Sequence, residues 1–298
     1  MTRSLLFVLA LMTSCGARTE VRDAPAFDVI YTHDGMHIGR WHSATGHVDV
    51  MSTQREPFVI TCTRDGRFIA VMDIVPPFDL LSSSGAVLRT QPGFPEGIRP
   101  DGARLIVSDV DLMDTKESCV GTLDADGTYI NDECTSSSSH HFVRAGEYSP
   151  DGQTVLWAEG IIHEQWTLAT ARDTRGDWRP IESGHDVLYS ASWSPSGDRV
   201  AFETHTFGAP HTLNTLAIVR LDTLEVEALV NETPKWIVSF GFTPDGRDIV
   251  YVDADVADGE VVSARAHIMD LGTHATTPLE VPIDPNWVGS ICVTSDGI

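Results

Sequence analysis

The sequence predicts an all-β fold: a six-bladed β-propeller of four-stranded blades, with a ring closed by strands from both termini. Three observations predict it: a turn phrase that recurs six times, an alternating apolar pattern after the turns, and incomplete units at the two chain ends that complement each other. A supersecondary unit that repeats every 36 to 51 residues is typical of a repeat architecture.

The recurring phrase is a tight turn, and its clearest copies are Ser149–Gly152 and Thr243–Gly246. Asp suits turn geometry, Gly supplies a positive φ, and a Pro ahead of the turn fixes φ where no ladder donor is lost. The turn residues are Asp65, Gly66, Asp101, Gly102, Asp151, Gly152, Ser196, Gly197, Asp245, Gly246, Asp296 and Gly297.

A strand pattern follows each turn that has enough chain after it. Counting from the turn Asp (or Ser196), an aliphatic residue occupies the fourth position and a larger or β-branched apolar residue the sixth. Steps of two are the period of a strand. The residues are Ile69 and Val71, Leu105 and Val107, Val155 and Trp157, Val200 and Phe202, and Ile249 and Tyr251.

Two further strands complete most units. Leu216–Val219 and Val226–Val230 form one such pair around Asp222, and His267–Met269 with Thr277–Val281 form another. Four short strands per unit fit a propeller blade. A β-sandwich is the alternative, but a sandwich does not need the same turn at a regular spacing.

The chain ends predict how the ring closes. The last turn is preceded by a first strand, Trp287–Val293, and is followed by Ile298 alone. Phe27–His33 has the second-strand pattern with no turn before it. Together they make one blade, and a ring closed by both ends leaves no open edge. We therefore expect a single domain over residues 26–298.

The N-terminus indicates export. An apolar run, Leu5–Met12, is too short to span a bilayer and fits a signal peptide over residues 1–14. The run ends before Cys15 in a pattern that resembles a bacterial lipoprotein signal, which implies lipidation of Cys15 and a polar tether over residues 15–25. Gly16 is not the Asp of inner-membrane retention, so the outer membrane is favoured. An ordinary signal peptide with an incidental Cys is the alternative.

Four cysteines lie inside the domain, and export makes disulfides possible. Cys119 and Cys134 fall opposite each other in a two-residue hairpin, within disulfide range, so we predict a bridge. Cys62 and Cys292 lie in first strands of neighbouring blades, one register step apart. They are either a bridge across the closure or, as we favour, small buried apolar residues.

The net charge of the chain limits the kinds of partner that it can bind. Forty-three acids against twenty bases give a net charge of −23. This argues against binding to nucleic acid, which needs cationic side chains, and against electrostatic membrane docking. The excess acid is either a solvated surface or an affinity for cations or a basic partner.

The repeat also carries a family resemblance. Tyr148–Trp157, Trp193–Phe202 and Phe242–Tyr251 resemble the TolB-like (PD40, WD40-like) propeller repeat. The resemblance covers residues 26–298 and implies six blades and a periplasmic or cell-surface location. In TolB itself the propeller is joined to a smaller α/β domain and serves protein–protein contacts, and no such domain fits here. The repeat occurs in proteins with many functions, so it does not select one.

The candidate binding residues lie in the longer connections. In a propeller, the second-to-third and fourth-to-first connections share one face, which we call the long-loop face; the Asp-Gly turns lie on the other, the turn face. Long loops on a rigid frame gather binding residues. The candidates are Asp73, Phe78, Asp79, Asp109, Asp111, Glu203, His205, His211, Asp253 and Asp255.

No catalytic motif is present: there is no Gly-x-Ser-x-Gly elbow, glycine-rich phosphate loop or His-Glu-x-x-His. We expect a monomeric, non-catalytic envelope lipoprotein that binds a protein or other large ligand and needs no cofactor. The alternative is a metal-dependent lyase or hydrolase of polysaccharide that holds a divalent cation with loop His and Asp residues, because some propellers of this repeat type resemble such lyases.

Overall fold

The computed structural model describes residues 26–295, apart from 54–55, 74–76, 111–116, 125–127, 137–140, 162–163, 173–177, 186, 207–212 and 259. In this part of the chain, 24 strands form six four-stranded antiparallel sheets, as predicted. Cys15, the signal segment and the tether lie outside the described residues. No helix in the described part is long and apolar enough to span a membrane.

The strands are given blade by blade, from the innermost outwards. Blade 1 contains β24 (Cys292–Ser295), β1 (Phe27–Asp34), β2 (His37–His42) and β3 (Val48–Ser52). Blade 2 contains β4 (Val59–Cys62), β5 (Phe68–Met72), β6 (Phe78–Ser82) and β7 (Val87–Gln91), and blade 3 contains β8 (Phe94–Ile98), β9 (Arg104–Val110), β10 (Glu117–Asp124) and β11 (Tyr129–Ser136).

The second half of the ring follows the same order. Blade 4 contains β12 (His141–Tyr148), β13 (Val155–Ile161), β14 (Gln165–Ala171) and β15 (Arg179–Gly184). Blade 5 contains β16 (Val187–Trp193), β17 (Arg199–Thr206), β18 (Leu213–Arg220) and β19 (Val226–Thr233), and blade 6 contains β20 (Trp236–Phe242), β21 (Asp248–Ala257), β22 (Glu260–Asp270) and β23 (Thr276–Leu279). The innermost strands β4, β8, β12, β16, β20 and β24 contact one another in turn around the ring.

Both ends of the chain build blade 1, which confirms the predicted closure. β1 pairs with β24, with Phe27 opposite Ser295 and Ile30 opposite Cys292. The prediction that the C-terminal innermost strand begins at Trp287 is wrong. A short 3-10 helix, Pro285–Trp287, precedes β24 instead, because the Asp284 carboxylate accepts a hydrogen bond from the Asn286 N–H and Pro285 fixes φ.

Six apolar clusters of described residues join the blades, one between each pair of neighbours. In blade 5, Val200 and Phe202 pack against blade 4, while Ala201 packs in the cluster shared with blade 6. Successive side chains of a strand point to opposite faces, so the fourth and sixth positions of each repeat face the preceding blade. The fifth position, which the sequence pattern did not single out, faces the following blade.

The recurring turn is a hydrogen-bonded unit. Gly66 and the equivalent glycines of the next four turns have positive φ, as predicted. The Asp151 carboxylate accepts hydrogen bonds from Ser149 Oγ (2.6 Å) and the Gln153 N–H (3.0 Å). In the turn where Ser196 replaces the Asp, the carboxylate of Asp198 serves as the acceptor instead. It accepts a hydrogen bond from Ser194 Oγ at 2.8 Å. The sixth turn lies outside the described residues.

The cysteines follow the predicted registers. Cys119 is opposite Cys134 in the β10–β11 ladder, although a bulge near Leu123 alters the end of the hairpin. The side chains of this pair are not among those described, so their disulfide stays a prediction. Cys62 and Cys292 are both unbridged in this structure; Cys292 is buried and Cys62 is partly buried, so whether they bridge stays open.

The strands of blades 5 and 6 extend further towards the long-loop face than the sequence predicted. β17 continues through Glu203 and His205, and β21 with β22 continues the ladder beyond Asp253 and Asp255 almost to the end of the hairpin. β-Branched residues favour strands, and Val256 pairs with Val261 in this extension. The β21–β22 hairpin is therefore a rigid element that extends the blade on the long-loop face.

Candidate binding face and central cavity

Blade 2 does not supply the two binding residues predicted for it. Phe78 is fully buried in the cluster between blades 2 and 3, so its assignment to the binding face is wrong. Asp79 is also buried, and its carboxylate accepts a hydrogen bond from Thr90 Oγ1 at 2.6 Å. Both residues begin β6 and face neighbouring strands instead of solvent.

The structure describes some of the other predicted binding residues and not others. Asp73 follows β5 directly and is half-buried. Asp109 lies in β9, and its side chain is not described. Asp111 and His211 lie outside the described residues. Among the candidates whose side chains the structure describes, Glu203 and His205 lie together in blade 5, and Asp253 and Asp255 share a contact with Lys235 in blade 6.

In blade 5, Glu203 and His205 form a buried polar pair. A hydrogen bond joins His205 Nε2 to Glu203 Oε1, and both residues are almost completely shielded from solvent. Burial raises the pKa of Glu203, although hydrogen bonds from His205 and Ser190 oppose the shift. The ring of His205 stacks on Tyr189 with 3.9 Å between centroids, so the pair supports an aromatic side chain that is itself partly exposed.

In blade 6, Asp253 is the centre of an ionic group. Lys235 Nζ lies 3.2 Å from Asp253 Oδ2 and 4.0 Å from Asp255 Oδ1, and His267 Nε2 lies 3.3 Å from Asp253 Oδ2. Burial opposes ionisation of Asp253, but hydrogen bonds and charges from His267 and Lys235 outweigh it and lower its pKa. Asn214 Nδ2 donates to Lys235 O at 2.8 Å, which links this group to blade 5.

Sequence reasoning selected polar residues and missed an apolar feature of the same face. Six large apolar side chains, between 38% and 56% exposed, lie at or near strand ends on the long-loop face of blades 5, 6, 1 and 2, which are consecutive around the ring. We call them the apolar arc: Tyr189, Trp236, Val256, Val262, Met36 and Phe58. The signal that could have found them is a large apolar residue next to a predicted long connection.

The innermost strands enclose a central cavity of about 190 Å³. Register shifts interrupt β8 at Glu96, β12 at Glu147 and β16 at Tyr189, and all three residues line this cavity. A β-bulge re-aims a side chain, so these bulges explain how acidic and aromatic residues come to line the cavity.

Arg64 closes the cavity towards the turn face. It occupies the turn position at which the next four repeats have Pro. Its Nη2 donates to Trp193 O at 2.7 Å, on the opposite side of the ring, and lies 3.5 Å from Glu147 Oε1. The other oxygen of Glu147 accepts from Ser192 Oγ (2.7 Å) and Trp193 N (2.9 Å). Arg64 and Glu147 also line a second hollow of about 320 Å³ on the turn side, so they form the partition between the two.

The geometry supports binding better than chemistry. The polar groups that meet at the partition mainly satisfy one another. Within the described residues, no group of three or more His, Cys, Asp or Glu side chains is placed to hold a metal ion. Asp111 and His211 are not among those residues, so the metal-dependent alternative stays an untested prediction.

No protein-family model matches the sequence, and no curated protein is similar to it. Solved structures with the same fold include TolB from Acinetobacter baumannii (15% identity, TM-score 0.62) and a protein assigned as TolB in Agrobacterium tumefaciens (16%, 0.59). The alignments cover 90% and 92% of this chain, and 65% and 99% of those chains. The chain thus spans about two thirds of the Acinetobacter protein.

A chain of the nidogen/laminin complex is also similar, with 10% identity, a TM-score of 0.63, and coverage of 90% of this chain and 98% of that one. Structures named for 6-phosphogluconolactonases are among the similar ones too. At these identities the likeness shows a shared fold and no shared activity.

Proposed function

We propose that this chain is a non-catalytic, lipid-anchored propeller of the bacterial cell envelope that binds a protein partner through its long-loop face. The apolar arc is the observation that carries the proposal. Several large exposed apolar side chains grouped on one face of a soluble domain are typical of an interaction site. Tyr and Trp are also the residues in which interface binding energy is concentrated.

The rigidity of the arc favours tight binding. Trp236 begins an inner strand, Val256 and Val262 lie on the extended β21–β22 hairpin, and Tyr189 is supported by the buried His205 ring. A surface that is already ordered loses little conformational entropy when a partner binds. The frame thus presents the apolar groups in one arrangement, as a docking surface requires.

The charges indicate the chemistry of the partner. Asp253 is held ionised beside the arc, Asp255 is exposed, and the chain carries a net charge of −23. Complementary charges steer association and exclude partners of like charge. We therefore expect a protein segment in which apolar side chains lie next to Lys or Arg.

Two kinds of structural neighbour support a protein ligand. TolB propellers share the fold, and the nidogen/laminin structure holds its propeller within a complex of two proteins. The lipoprotein-type signal supports a site of action at the envelope, with the chain attached through Cys15 and exported.

Site-directed photo-crosslinking tests the docking face. A photoreactive residue at Val262, on the long-loop face, is compared with one at Leu224, which is similarly exposed but lies in a turn on the opposite face. In intact cells of the source bacterium, we expect one defined crosslinked protein from position 262 and none from position 224. The same products from both positions, or none from position 262, would contradict the proposal.

A separate experiment tests the anchor. Cys15→Ser removes the residue that carries the lipid and leaves the propeller unchanged. We expect the variant to move from the membrane fraction to the soluble fraction of the envelope, as followed by immunoblotting. Unchanged membrane association would contradict lipidation without affecting the assignment of the binding face.

A further inference from the structure

Two free thiols lie on either side of the joint that closes the ring. Cys292 is the first residue of β24, the C-terminal strand, and Cys62 is the last residue of β4, the innermost strand of the next blade. β24 is only four residues long and pairs with β1 alone. Non-covalent contacts must therefore hold the end of the chain against blade 2.

The two cysteines share one environment. Both belong to the apolar cluster between blades 1 and 2 and both line the central cavity. Cys292 Sγ lies 3.9 Å from the carbonyl oxygen of Ile60, two residues from Cys62 on the same strand, and the Cys62 thiol interacts with the Cys292 thiol. Strands β4 and β24 contact each other directly, and a disulfide joins Cα atoms about 4.4–6.8 Å apart.

The rest of the joint fixes their relative position. Ser295 N donates to Arg64 O at 3.0 Å, so β24 is attached to the blade 2 turn just beyond the cysteines. On the other side of β24, Val293 packs in the cluster shared with blade 6. β24 therefore contacts blade 2 on one side and blade 6 on the other. These contacts fix the position of the Cys292 thiol relative to Cys62.

We infer that Cys62 and Cys292 form a disulfide across the closure when the chain folds with a disulfide donor. The donor is a low-molecular-weight disulfide such as oxidised glutathione. Each thiol loses a proton and the pair gives up two electrons, while the S–S bond of the donor breaks and yields two thiols. The new bond joins the C-terminal strand of blade 1 to the first strand of blade 2 and makes the closure covalent.

Burial determines when the bond forms. The thiolate is the reactive species in thiol–disulfide exchange, and burial raises the pKa of Cys62 well above its ordinary value. The bond therefore forms while the joint is open, during folding. Once formed, it resists small reductants because the closed joint shields it. The cross-link encloses more than two hundred residues, so it restricts the unfolded chain strongly.

The test uses the full chain with Cys15, Cys119 and Cys134 replaced by Ser, so that only Cys62 and Cys292 remain. The protein is refolded with oxidised and reduced glutathione, then denatured and alkylated without reductant. We expect no alkylated thiol, and a peptide pair joined through Cys62 and Cys292 in the mass spectrum. The melting temperature should be about 5–10 °C higher than that of the same protein refolded in reduced glutathione alone.

Two controls keep the inference falsifiable. Adding Cys292→Ser should restore one alkylated thiol and remove the difference in melting temperature between the two refolding conditions. If that variant does not fold, the peptide map of the wild-type sequence after the same refolding still decides the matter. Two alkylated thiols, or separate mixed disulfides with glutathione, would overturn the inference.

Discussion

The two faces of this propeller are built from different kinds of sequence. On the turn face, Ser149, Asp151 and their equivalents form nearly the same hydrogen-bonded turn in successive blades, and each carboxylate is satisfied within its own turn. On the long-loop face, no two described connections are alike, and large apolar side chains such as Trp236 and Val262 are exposed. Repeated chemistry builds the frame, while departures from the repeat supply surfaces for recognition.

The largest expected effect is on partner binding. Trp236→Ala should weaken binding about 30-fold or more, because truncating an aromatic at the centre of an interface typically costs about 2 kcal/mol or more. Its free energy of unfolding should change little, since the side chain is partly exposed. Titration calorimetry with the crosslinked partner checks this.

Leu224→Ala provides the matched control, since it truncates an exposed apolar residue on the turn face. It should leave the affinity unchanged. Equal losses from both substitutions would remove the difference between the two faces.

The next effect is on stability and belongs to the turn face. Asp151→Ala removes the acceptor for a hydroxyl and a backbone N–H, and should lower the free energy of unfolding by about 1–2 kcal/mol. Asp255→Ala, on the long-loop face, removes an exposed hydrogen bond from Ser263 and an exposed ion pair with Lys235, and should cost less than about 0.5 kcal/mol. Urea titrations measure the free energy of unfolding of both variants. Similar losses would show that side-chain hydrogen bonds on the two faces stabilise the fold equally.

Acid should destabilise the turn face through the same groups. Hydrogen bonds from Ser149 and the Gln153 N–H lower the pKa of Asp151, and a hydrogen bond from Ser196 lowers that of Asp198. Folded pKa values below the unfolded value of about 3.9 give stability that is present above that pH and is lost as pH falls through the folded pKa. The free energy of unfolding should decline below about pH 4, and Asp151→Asn should make the decline shallower. An unchanged slope would count against these turns as its source.

The smallest expected effect is a loss of stability as pH rises, the reverse of the loss in acid, and it arises from His42 in blade 1. Burial of the His42 ring opposes protonation, but hydrogen bonds to Asp49 and Asp28 outweigh it and raise its pKa. Its stabilising contribution is therefore fully present below about pH 6.5 and is lost as pH rises through the folded pKa. His42→Gln should abolish this dependence, as measured by thermal unfolding at pH 6 and pH 8. If the stability of the wild-type protein and the variant depends on pH in the same way, His42 is not the source of the dependence.

Much of the frame could be predicted from sequence because local chemistry determines it. The Gly at each turn needs positive φ, and the alternating residues after it report a strand, so Val200 and Phe202 could be placed without coordinates. The joining of Phe27 to Ser295 was predictable because each end is an incomplete blade.

The binding face was harder to predict because it depends on long-range packing. Phe78 looks like a loop residue in sequence, yet it starts a strand that faces blade 3. The bulges at Glu147 and Tyr189, which line the cavity, arise from strand pairing and have no local signal. Arg64 is visible as a departure from Pro, but its bond to Trp193 exists only because the ring brings blades 2 and 5 together.

Hydrogen exchange of the chain with and without its crosslinked partner tests the central claim most directly. Binding through the apolar arc should slow exchange in peptides that contain Trp236 and residues 256–262, and leave peptides around Leu224 and the turn at Asp151 unchanged. Protection confined to the turn face or to the outer strand Val87–Gln91 would contradict the proposed docking surface.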